Sequence, residues 1–69
     1  MTEVNVRLPI RLGQFLKLAN LAESGAHARE LIETGEVLLN GSPCTQRGKQ
    51  LGEGDTVTVH GESITVIAD

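Results

Sequence analysis

Apolar residues recur along this chain at two different periods, and the change between them divides it. Between Glu3 and Leu8, Val4, Val6 and Leu8 alternate with polar residues, the two-residue repeat of a short strand that ends before Pro9. From about Ile10 to Ala19 the spacing lengthens. Leu12, Phe15, Leu16 and Ala19 fall on one side of a helix, with Arg11, Gln14 and Lys17 on the other. Asn20 to Glu23 connects to a second helix, which Ser24 opens by capping its first free amides. That helix runs to about Thr34 with Ala28, Leu31 and Ile32 on its buried side. Gly35 closes it, because a residue without a Cβ takes the positive φ of a helix end at no steric cost.

Beyond Gly35 the period returns to two. Glu36 to Leu39 reads as a strand entering a tight Asn40-Gly41 turn, and Ser42-Pro43-Cys44 starts the return. Gly52-Glu53-Gly54-Asp55 makes a second turn, Thr56 to Val59 alternates with one apolar face, Gly61-Glu62 turns again, and Ser63 to Ile67 closes the sheet. The pattern predicts an α+β fold: a two-helix hairpin packed on a small, mostly antiparallel β-sheet. There is no internal repeat, low-complexity tract or linker, and 69 residues leave room for one domain spanning 1–69.

Composition adds exclusions. With 39% apolar and 22% charged residues the chain matches an ordinary globular protein. The net charge of −3 argues at first sight against nucleic acid, but it conceals an asymmetry. Up to residue 49 there are six Lys and Arg against five Asp and Glu; beyond it there are none against four. Phe15 is the only aromatic residue, so stacking platforms for unpaired bases cannot be built, and any nucleic acid is held by backbone and shape. No apolar stretch approaches the ~18 residues that span a bilayer, so a membrane role is not expected. A single cysteine, Cys44, and a start lacking the apolar run of a secretory signal place the chain, as an expectation, in the cytoplasm.

Most candidate chemistry reduces to plainer readings. Cys44, His27 and His60 lie far apart without the paired spacing of a metal site, and Cys44 with His60 has no third group to orient a nucleophile, so a buried or half-buried thiol is expected. The Asn40-Gly41-Ser42 sequon is followed by Pro43 and is a turn, and the glycines from 48 to 54 lack the Lys-Ser/Thr ending of a phosphate loop. No enzyme activity, cofactor or metal is expected. One constellation is left. Arg11 and Lys17 on the first helix, Arg29 on the second, and Arg47 with Lys49 in the loop could share one face of a helical hairpin. The plainer alternative is a solvated surface on which Arg29 and Glu33 form an ordinary i,i+4 pair.

The stretch from Arg11 to Val59 resembles the RNA-binding domain named after ribosomal small-subunit protein S-four. The resemblance is carried by Arg11-Leu12, Ser24, Ala28-Arg29, Leu31-Ile32, Gly35, Val37, Asn40-Gly41 and Gly54-Asp55, in that order. In length the chain is most similar to the small, free-standing YbcJ-like bacterial members. The resemblance implies an αL-type motif in which the two helices and the following hairpin engage structured RNA, such as ribosomal RNA, as a monomer, on the ribosome or its precursor. Arg11, Lys17, Arg29, Arg47 and Lys49 would carry that binding. Three features depart from the family pattern and imply weaker, more salt-sensitive binding. Gly13 stands where the family often has Asp, Gly25 where many members place a basic residue, and Glu23 adds a negative charge. The alternative is a protein-interaction module, or an accessory subunit of a translation or RNA-modification complex.

Overall fold

A computed structural model describes residues 2–69. Strand β1 (Thr2–Val6) is followed by a two-residue strand β2 (Ile10–Arg11), helix α1 (Leu12–Leu18) and helix α2 (Gly25–Glu33). The second half is all strand: β3 (Val37–Leu39), β4 (Ser42–Pro43), β5 (Gln50–Leu51), β6 (Thr56–Val59) and β7 (Glu62–Ala68). Five of the strands form one sheet in the order β1-β7-β6-β3-β4, and β2 with β5 forms a separate antiparallel pair. Within the large sheet every pairing is antiparallel except that of β1 with β7, which run parallel with Val4 opposite Val66. The expected class, two helices on a mostly antiparallel sheet, is the one observed.

The helical period places Leu12, Phe15 and Leu16 of α1 and Ala28, Leu31 and Ile32 of α2 in one core with Val37, Val57, Val59, Ile64 and Val66 of the sheet. Each large side chain buried this way contributes about 1.5–3 kcal/mol relative to exposure. Phe15 is fully buried here, so the lone aromatic ring serves packing and presents no face to a ligand. On β6 and β7 the alternation turns Thr56, Thr58 and Ser63 to the other side, where the Thr58 and Ser63 hydroxyls meet at 2.9 Å.

Strand β1 ends at Val6, short of the expected Leu8, and two further expected boundaries move. The first helix begins at Leu12, not Ile10, because Ile10 and Arg11 are extended and pair with Leu51 and Gln50. Their partners lie 39 or more residues away in sequence, so the local helical spacing of Ile10 gave no sign of them. The last turn is His60-Gly61, both at positive φ, and Glu62 already pairs with Val59. The other turns stand where expected: Gly35 at φ 77°, Asn40 and Gly41 at 52° and 87°, and Gly54 at 90°. Among the described residues no helix is long and apolar enough to cross a membrane.

Candidate nucleic-acid interface

The loop between β4 and β5 is held against the start of α1 by its own carbonyl groups. The first amides of a helix have no partner within it. Here Leu12 N–H donates to Lys49 O at 2.9 Å and Gly13 N–H donates to Arg47 O at 3.1 Å. The Arg11 guanidinium, one residue earlier, donates from Nη1 to Gly48 O at 3.0 Å, while its backbone N–H donates to Gln14 Oε1 at 3.1 Å. A side chain at residue 48 would crowd Arg11, since a Cβ there would lie 3.3 Å from Arg11 Nη1. Glycine at this position lets the guanidinium reach the carbonyl. The two-residue β2–β5 pairing anchors the same junction, so Arg47 is fixed in space relative to Arg11 although 36 positions separate them.

The second helix completes the arrangement. Ser24 is its N-cap, its Oγ accepting from His27 N–H at 3.1 Å, and His27 Nδ1 accepts in return from Glu23 N–H at 3.0 Å. The return bond differs from that of a capping box: the His27 ring takes the amide of the residue before the cap, not that of Ser24 itself. Arg29 stands outward on α2, and its Nε donates to Glu33 Oε2 at 2.9 Å. The Glu33 hydrogen bond, and then its charge, hold the Arg29 pKa above its ordinary value. The pair is solvent-exposed on both sides and contributes little to stability. It does orient the guanidinium while leaving its terminal nitrogens unused.

Arg11, Lys17, Arg29 and Arg47 together line one groove of about 270 Å³ between the two helices and the loop. Among these cations the lining includes four small residues, Gly13, Gly25, Ala28 and Gly48. Four of the five cations expected at the site are thus brought together. Lys49, the fifth, is exposed but is not part of this lining; its contribution is the carbonyl that caps α1. Gln14 was not singled out from sequence, yet it lines the groove beside Lys17. The spacing Arg11-Gln14-Lys17 along one helix side was the available signal. Arg7 lies in a broader concavity on the far side of Lys17, together with Pro9, Ile10 and Leu18.

Cys44 and His60 do not form a reactive pair. The Cys44 thiol is half-buried with its Sγ 3.9 Å from Gln46 O, whereas His60 contacts Glu36 through Nε2. Among the described residues no cluster of His, Cys, Asp or Glu is arranged to hold a metal ion.

A helical hairpin and basic loop on a small mixed sheet define a known class, and the chain belongs to it: residues 4–67 match the S4 domain family. Two relatives share most of the chain. The Bacillus subtilis protein named "Probable ribosome maturation protein RlbA" is 46% identical over 52 residues, which span 75% of this chain and 73% of that one. The Escherichia coli protein named "Putative RNA-binding protein YbcJ" is 36% identical over 59 residues, 86% of this chain and 84% of that one. The solution structure of E. coli YbcJ, described as containing an αL motif involved in RNA binding, superposes with a TM-score of 0.69 at 31% identity, covering 97% of this chain and 85% of that one.

Proposed function

We propose that this protein binds structured RNA without catalysing a reaction, gripping phosphates in the groove between α1, α2 and the β4–β5 loop. The observation that carries the reading is the placement of positive charge. A chain of net charge −3 has only six Lys and Arg, and four of them line one groove. An acidic protein gains affinity for a polyanion only where its cations are concentrated, and each phosphate neutralised releases counterions. With Phe15 buried, the groove has no ring on which to stack a base, which favours duplex or folded RNA over an unstructured strand. Family membership and the RNA-binding name of YbcJ support the same reading. The ribosome-maturation name of the 46% identical relative makes ribosomal RNA, or an RNA folded like it, the class of ligand we assign.

Titration of a labelled RNA hairpin with wild type, Arg29→Glu and Arg47→Glu tests this. Reversal should weaken binding by about tenfold or more for each variant, the scale of a lost charge-assisted hydrogen bond made repulsive. Arg7→Glu, outside the groove, should lose less. Undiminished affinity in both groove variants would turn attention to a protein partner.

A further inference from the structure

Gly13 and Gly25, two of the three departures from the family pattern, line the groove. Neither has a backbone that demands glycine. A Cβ at Gly13 would stand 3.6 Å from Arg47 O and one at Gly25 would stand 3.9 Å from Lys17 Nζ, both ordinary contacts, and neither residue is at positive φ. Both sit in helices, where glycine is the less stable choice by up to ~1 kcal/mol relative to alanine. Their effect is therefore spatial: any larger side chain at either position would project toward the cations and fill the groove.

We infer that the groove receives one phosphate group standing clear of the regular RNA backbone, either a 5′-terminal phosphate or the phosphodiester of a bulged nucleotide. The inference rests on the RNA-binding reading above and narrows its ligand. Phosphates in a continuous helix lie along a convex ridge and are reached from one side only. A concavity with Arg11, Lys17, Arg29 and Arg47 around its rim matches an anion that enters it and is approached from several directions. At 270 Å³ it is smaller than the 300–1,000 Å³ of pockets that enclose whole small molecules, in keeping with a single group. Arg11 and Arg29 are already oriented by Gly48 O and Glu33, and among the described residues the remaining donors of each guanidinium have no partner. The neighbouring concavity has only Arg7 and Lys17 as cations and is lined otherwise mainly by apolar residues, so it does not compete for the same group.

The test uses three hairpins of one sequence: unbroken with a 5′-hydroxyl, the same with a 5′-phosphate, and one carrying a single-nucleotide bulge. Each is titrated at fixed salt against wild type and against Gly13→Leu/Gly25→Leu, which fills the groove without altering charge. Circular dichroism melts confirm that the variant folds. Wild type should bind the phosphorylated or the bulged hairpin about tenfold more tightly than the unbroken one, and the hairpin that is preferred identifies the source of the phosphate. The filled variant should bind all three hairpins with equal affinity, at or below that of wild type for the unbroken form. Equal affinity of wild type for the three RNAs, or a preference that survives filling, overturns the inference while leaving RNA binding intact. Absence of binding to any of them overturns the RNA-binding reading itself.

Discussion

Gly35 and Ser24 mark the two ends of α2, and each can be tested alone. Gly35 is at φ 77° with open space where a Cβ would stand, so a substitution there meets no steric clash and the cost comes from the backbone alone. Gly35→Val should destabilise the fold by ~1–3 kcal/mol, since a β-branched residue is strained at positive φ; a thermal melt unchanged from wild type would refute this. Ser24→Ala removes the acceptor for His27 N–H and should cost ~1 kcal/mol in chemical denaturation. Both residues were legible from the sequence because capping is local chemistry, decided by residues within one helical turn. The roles of Gly13 and Gly25 were not. In the sequence they are departures from a family pattern, and only the packing of α1 against α2 and the loop brings them into the lining of a groove.

Between elements, two short polar bridges stand out. The Asn40 side chain joins the β3–β4 turn to the turn before β6: its Nδ2 donates to Asp55 Oδ1 at 3.1 Å and its Oδ1 accepts from Thr56 N–H at 2.9 Å. Asp55 Oδ2 in turn accepts from Gly52 N–H at 2.8 Å. Asn40→Gly keeps the positive φ but loses both bonds, and should cost ~1–3 kcal/mol, two hydrogen bonds of ordinary worth. A double-mutant cycle with Asp55→Ala should show coupling of at least ~0.5 kcal/mol; strict additivity would mean the bridge does not hold in solution. The second bridge fastens the end of α2 to the β6–β7 turn through Glu36. A hydrogen bond from the Thr34 hydroxyl, and then one with His60, hold the Glu36 carboxyl below its ordinary value of 4.5. A carboxyl depressed in the folded state adds stability above its unfolded pKa and loses it as pH falls through the folded one. Between neutrality and pH well below 4.5, Glu36→Gln should therefore lose less stability than wild type, as read from denaturation midpoints at both ends of that range. The β2–β5 pairing shows why elements were only partly legible. Two residues on each side have too little period to be recognised, and what fixes them is a contact with a distant stretch of chain.

At the scale of the whole molecule, positive charge gathers in the groove while the sequence beyond residue 49 has four Asp and Glu and no Lys or Arg. Binding should accordingly be steeply salt-dependent. Four cations acting on phosphates predict a log–log slope of roughly −3 to −4, and Arg47→Glu should flatten it by about one unit. A slope near zero would mean that the groove does not meet phosphates. The candidate cations could be read from the sequence, but their convergence could not, since it depends on loop carbonyls capping α1. The parallel pairing of β1 with β7 carries a consequence for how the chain reaches this state. Strand β7 lies between β1 and β6, so β1 has no neighbour in the sheet until residues 62–68 exist. At a synthesis rate of about 5–20 residues per second, β1 is synthesised roughly 3–11 s before its partner strand. During translation the two helices and the β4–β5 loop are synthesised first, yet the sheet beneath them can close only when β7 is inserted between β1 and β6, so folding is completed after synthesis of the groove and not during it.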